Sequence, residues 1–146
     1  ANIELRPTYV GIVDDTPLGV AVKSKLKDHK VNTDYVLTIK DGMGTWLAVF
    51  DNNGDVAGSI SKRPNLLPLV QLLEYKGDEI VQNCDSIVLE VDINKEIVKK
   101  TLQLAKKHNK KIFVSNSFSD IIEKYDKDEN IFAEDFLEMF KKGENE

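Results

Sequence analysis

The 146-residue sequence holds a single cysteine, Cys84, so one copy can form neither a disulfide nor a cysteine-ligated zinc site. Cys84 precedes an apolar run and reads as a small buried hydrophobe. No stretch approaches the roughly 20 apolar residues of a membrane span, and Ala1 to Pro7 has no apolar signal-peptide core. Positive charge is not in excess either. With 25 acids against 20 bases the formal charge is -5, and acids and lysines are interspersed, which argues against a footprint for nucleic acid or an anionic membrane. These absences favour a cytoplasmic chain whose partner is a small soluble molecule. Neither Gly-x-Gly-x-x-Gly nor Gly-x-x-x-x-Gly-Lys-Ser/Thr occurs, so the two commonest backbone cradles for phosphate have no candidate. His29 and His108 lie outside metal-binding helical patterns and read as exposed or capping residues, and no Gly-x-Ser-x-Gly elbow supports a nucleophilic triad.

What is present is enough for one domain over residues 1–146, with 41% hydrophobic content to supply a shared core. Tyr9 to Val13 is a short apolar run, and Thr16-Pro17 supplies a helix cap and a first-turn proline. Leu18, Val22 and Leu26 recur every four residues and predict one buried helical stripe, with Lys23, Lys25 and Lys27 on a solvated surface. Three extended stretches follow, Tyr35 to Ile39, Thr45 to Phe50 and Val56 to Ser61, parted by Asp41-Gly42 and Asp51-Asn-Asn-Gly54 turns. They predict an antiparallel excursion over about 35–61. Leu69 to Asn83 reads as helix interrupted at Gly77. Thereafter strand Ser86 to Val91, helix Asn94 to Lys107, strand Lys111 to Ser115, helix Ser119 to Tyr125, strand Asn130 to Phe132 and helix Glu134 to Lys141 alternate. Alternation of this kind implies a parallel sheet with crossover helices.

Asp14 and Asp15 at one strand end and Asp92 after a later strand form the kind of carboxylate set that collects where open α/β sheets bind ligands. A receiver-like phospho-acceptor would use such acids to hold magnesium. The β excursion between them, and the lack of a lysine closing the strand at Asn130 to Phe132, count against it.

The order of parts carries a more specific resemblance. Val10-Gly-Ile-Val-Asp-Asp-Thr-Pro-Leu-Gly19, Lys30-Val-Asn-Thr-Asp34 and Gly44-Thr-Trp-Leu-Ala-Val-Phe-Asp-Asn-Asn-Gly54 are followed by Leu89-Glu-Val-Asp-Ile-Asn-Lys-Glu96 and Ile112-Phe-Val-Ser-Asn116. Together they resemble the front portion of the PfkB, or ribokinase-like, sugar and nucleoside kinases, with a lid closest to the pseudouridine-kinase branch. The resemblance covers Tyr9 to about Phe140. It implies a ribokinase-like α/β fold, a parallel sheet with crossover helices plus a small antiparallel β lid, here incomplete. It also implies ATP and magnesium as partners of the complete enzyme and a sugar or nucleoside substrate, while the apolar face of the meander with Trp46 offers, as the alternative to a substrate contact, a surface for a homodimer through the β lid. Thr45, Trp46, Glu90 and Asp92 then become substrate-binding candidates and Asn116 a phosphate-binding one.

The departures are as specific. Asp14 stands where the family usually has glycine, the Gly-Gly-x-x-x-Asn clamp expected before Tyr9 is missing, and the Asn-x-x-Glu motif is replaced by Ala133-Glu-Asp-Phe136. The family's Gly-x-Gly-Asp, which carries the catalytic base, would fall beyond Glu146. Because phosphoryl transfer rests on positioning and charge stabilisation, the expectation is a chain with no catalytic residue and no cofactor of its own, inactive alone. A first residue of alanine suits a processed chain or a fragment. The alternative from another class is a noncatalytic module that binds a nucleoside or sugar, or dimerises through its lid.

Overall fold

A computed structural model describes residues 5–90 and 93–114, and the chain divides after Leu69 into two compact units. In the first, Gly11, Ile12 and Val13 form strand β1 (Gly11–Val13). Thr16, in extended backbone, stands at the N-cap position of helix α1 (Pro17–Asp28) without a side-chain cap hydrogen bond, and Pro17 takes the first position, where its missing N–H is no loss. The helix ends at His29. Lys30 enters the left-handed region at φ 60°, its N–H reaching Lys27 O while Val31 N–H reaches Leu26 O. The chain then returns as β2 (Val36–Thr38), parallel to β1 from Gly11↔Val36 to Val13↔Thr38.

Two expectations need correction here. Tyr35 to Ile39 is not part of an antiparallel meander, because β2 completes a β–α–β crossover with β1. The antiparallel element is only the ribbon β3 (Thr45–Phe50) and β4 (Val56–Lys62), paired from Thr45↔Lys62 to Phe50↔Val56, with Ala57 as the extra residue of a bulge. The buried face of α1 is also rotated from the expected one. Leu18 is exposed and Gly19 is buried, with Val22, Lys23 and Leu26 half-buried beside it. Residues 19, 22, 23 and 26 form the docking face, and glycine at 19 allows the close approach to Asp14, the residue that follows β1.

The division of the chain falls in the first turn of helix α2 (Leu67–Gln82), whose start is held by Asn65 Oδ1 accepting from Leu67 N–H at 3.0 Å. Gly77 does not interrupt it. A methyl there would lie 2.5 Å from Leu104 Cδ1, so the glycine lets α2 pack closely on helix α3 (Lys95–Lys107). Strands β5 (Ser86–Leu89) and β6 (Lys111–Val114) flank α3 and pair in parallel, Ser86↔Lys111 to Leu89↔Val114, as the alternation predicted. Asn94 caps α3, accepting from Glu96 N–H at 2.7 Å, and Lys106 and Lys107 complement the dipole at its other end. His108 and Asn109 (φ 51°) close α3 as His29 and Lys30 close α1.

Ile97, Val98, Leu102, Leu104 and Ala105 of α3, with Leu73, Val81 and Leu89, make the core of the second unit. Each large aliphatic side chain so buried contributes about 1.5–3 kcal/mol. The expected elements after residue 115, together with Val91 and Asp92, lie outside the described residues. No helix among the described residues is long and apolar enough to cross a membrane.

Candidate functional site

The carboxyl end of β1 brings an acid to the first turn of α1. Asp14 is buried there, and its Oδ1 accepts from Thr16 N–H at 3.1 Å and from Thr16 Oγ1 at 2.6 Å. Asp14 therefore fixes the residue at the N-cap position, whose hydroxyl is turned to Asp14 and makes no cap hydrogen bond to the helix. A side chain at position 19 would run into the Asp14 carbonyl and come within 2.5 Å of its Oδ1, so Asp14 and Gly19 fit as a pair. Above them opens a cleft of about 250 Å³ whose walls include Asp14, Gly19, Lys23, Ser24 and Thr38. Lys23, expected on a solvated face, instead donates from Nζ to Val36 O of β2 at 3.0 Å. Asp14 and Lys23 thus tie the helix to the sheet, and Lys27 adds a third charged group to the cleft wall.

The ribbon is exposed nearly throughout. Directly paired residues share a face, so Thr45, Leu47, Val49, Ile60 and Lys62 lie on one side, and Trp46, Ala48, Phe50, Ser59 and Ser61 on the other. Trp46 and Ile60 leave 60% and 73% of their surfaces in solvent. Thr45 and Trp46, expected to serve one substrate, thus sit on opposite faces, and a ligand on one face of the ribbon meets only one of them. An exposed ion pair between Lys62 Nζ and Asp41 Oδ1 (3.2 Å) braces the ribbon base, worth at most about 1 kcal/mol.

In the second unit Glu90 is exposed just past β5. Asp92 and Asn116 lie outside the described residues, so Glu90 is the only one of the three placed by the structure. Asp78 Oδ1 meets Lys107 Nζ at 2.6 Å and His108 Nε2 at 2.7 Å, tying α2 to the end of α3. The Lys107 hydrogen bond first, and the His108 one second, hold the Asp78 carboxyl below its ordinary value. The Cys84 thiol is pushed up by burial, and its Sγ donates to Val81 O, which suits a packing role. Among the described residues no group of three His, Cys, Asp or Glu side chains could hold a metal ion.

A β–α–β crossover, an antiparallel ribbon, and a second crossover define a ribokinase-like α/β fold of which the chain covers part. Solved structures with this fold include a sugar-kinase candidate from Clostridium perfringens, with TM-score 0.65, 19% identity, 84% of this chain and 40% of that one covered. The 2-dehydro-3-deoxygluconokinase of Thermotoga maritima aligns with TM-score 0.62 at 16% identity, over 83% of this chain and 40% of its own. Arabidopsis thaliana ribokinase, solved with ribose and ATP, gives 0.58 at 17% identity, over 75% and 36%.

In sequence the chain is similar to the guanosine-inosine kinase of Exiguobacterium acetylicum, 29% identical over 117 residues. That alignment spans 80% of this chain and 39% of the relative, so the matched part covers about two fifths of that kinase's length. No protein-family model matches the chain.

Proposed function

We propose that the chain is the substrate-side portion of a PfkB-type kinase that phosphorylates a hydroxyl of a nucleoside or sugar, acting within one partial ribokinase-like domain. The observation that carries this reading is sequence similarity to a nucleoside kinase over four fifths of the chain, on a ribokinase-like fold with an exposed ribbon. The aromatic face of the ribbon, Trp46 and Phe50, suits stacking on a nucleobase, and the aliphatic face, Leu47, Val49 and Ile60, suits a second copy of the chain. A base stacked beside Trp46 would be shielded from water while the hydroxyl is held elsewhere. Glu90, with Asp92 and Asn116, stays a candidate for contacts to the ribose and the phosphates.

ATP would supply the phosphoryl group and magnesium the charge neutralisation in the whole protein. This portion alone is proposed to be inactive, and the complete protein to work in the cytoplasm. Both pseudouridine, suggested by the lid residues, and the purine nucleosides, suggested by the relative, belong in the substrate panel.

A second reading, a noncatalytic binding or lid-dimerising module, is favoured by the uncovered apolar surface on both faces of the ribbon.

The test is ATP turnover against pseudouridine, guanosine, inosine and ribose, followed by phosphorus NMR, with nucleoside titration monitored by Trp46 fluorescence. Quenching by a nucleoside without product supports a substrate-side portion. Product formation by the chain alone would remove the claim of inactivity and name the acceptor, and the absence of any nucleoside or sugar binding would remove the kinase reading.

A further inference from the structure

The turn joining β3 to β4 carries a chemistry that no role in phosphoryl transfer accounts for. Asp51 organises it: its Oδ1 accepts from Asn53 N–H at 2.8 Å and from Asp55 N–H at 3.0 Å, and its own N–H reaches Asp55 O at 2.8 Å. At the tip stand Asn53 and Gly54, both exposed. Gly54 takes φ 89°, and no heavy atom lies within 4 Å of the position a Cβ would occupy. Asn53 is the only asparagine in the sequence followed by glycine. Elsewhere asparagines are followed by bulkier residues, and the side chains of Asn32, Asn65 and Asn94 are engaged with backbone N–H groups.

We infer that Asn53-Gly54 is a site of spontaneous covalent modification, in which the asparagine amide is converted to aspartate and isoaspartate. The Gly54 backbone nitrogen, giving up its proton to solvent base, attacks Asn53 Cγ. A carbon–nitrogen bond forms to close a five-membered imide, the bond to Nδ2 breaks, and Nδ2 leaves as ammonia after taking up a proton. Water then opens the imide at either carbonyl. Opening at one returns the normal backbone with an ordinary aspartate side chain, and opening at the other routes the chain through the side chain as isoaspartate. No oxidant or reductant enters, and the products carry one negative charge where the amide was neutral.

Two features make this position reactive. Glycine places no side chain beside the attacking nitrogen, and its backbone freedom lets the turn reach the ring-closing geometry. The Gly54 N–H is held only by Asp51 O at 3.2 Å, the longest of the turn's hydrogen bonds. The product is at odds with the turn that made it. Its new carboxylate adds to those of Asp51 and Asp55, and isoaspartate lengthens the main chain at the residue whose N–H Asp51 holds. Closing a two-stranded ribbon, which is marginal by itself, depends on that turn.

The test is incubation of the purified chain at physiological temperature in mildly alkaline buffer, then tryptic mapping and isoaspartyl-methyltransferase labelling. The peptide from Asp41 to Lys62 is expected to gain the amide-to-acid mass difference at Asn53 several-fold faster than Asn52, Asn65, Asn83, Asn94 or Asn109 react. Asn53→Gln should abolish the gain, and Gly54→Ala should slow it several-fold. Amide exchange at Asn53 and Asp55 should quicken in the aged protein and stay unchanged in aged Asn53→Gln. Conversion at another asparagine ahead of Asn53, or an Asn53 that survives unchanged while others react, would overturn the proposal.

Discussion

Helix α3 and the β3–β4 ribbon are both rich in apolar residues and differ in where that surface goes. In α3 the stripe from Ile97 to Ala105 is buried within its own unit, with Ile97 only 3% exposed, and polar caps satisfy both ends. In the ribbon, Leu47, Val49, Ile60, Trp46 and Phe50 are all more than half exposed. The contrast separates apolar residues that build the fold from those available to a ligand or a second chain. Sequence pattern alone does not make that distinction, because the continuous apolar run from Trp46 to Phe50 reads equally well as a buried strand.

The contrast is open to direct attack. Ile97→Ala should lower unfolding free energy by about 2–5 kcal/mol, through lost burial and a cavity, whereas Ile60→Ala on the ribbon should stay within about 0.5 kcal/mol. Denaturant melts of the two variants give the comparison, and equal losses would mean that the ribbon is part of the fold-building core. Gly77→Leu should be next in size, costing about 1–3 kcal/mol, because the added side chain must displace Leu104 where α2 meets α3. The same substitution at Gly58, which has open space around it, should be nearly silent by thermal melting.

The smallest effect concerns the exposed clasp at Asp78. Its folded pKa lies below the ordinary 3.8, so it contributes stability above that value and loses it as the pH falls through the lowered one. Asp78→Asn should be slightly less stable than the parent at neutral pH, with the gap closing as pH drops below 3.8 and Asp78 takes up its proton. A gap that instead widens in acid would mean that Asp78 is not the group responsible.

Much of the second unit was legible because its signals are local. Asn94, Glu96, Lys106 and Lys107 mark both ends of α3, and the apolar runs on either side mark β5 and β6. What sequence reading missed depended on partners distant in the chain. An extended run at Tyr35 to Ile39 has the same pattern whether it pairs with β1 or β3, so its parallel partner was not visible. Gly77 looked like a break because glycine costs a helix about 1 kcal/mol, and the compensating contact with Leu104 is 27 positions away (104 less 77). The Leu18 stripe had the right period and the wrong rotation, and Lys23 gave no sign that its ammonium would find the carbonyl of Val36. At the candidate site, Thr45 and Trp46 were visible as ribbon residues. Their separation onto opposite faces follows from strand alternation and the paired register.

The two crossovers share a dimension that bears on assembly. Gly11 pairs with Val36 and Ser86 with Lys111, so each parallel contact closes 25 positions (36 less 11, 111 less 86). Loop-closure entropy grows only with the logarithm of length, and equal lengths carry nearly equal penalties. On a growing polypeptide each crossover becomes able to close as soon as its own second strand emerges, without waiting for the other, and the left-handed residues Lys30 and Asn109 turn each helix back toward its strand. The fold is thus written as two self-timed steps of the same span, with the ribbon synthesised in the interval between them.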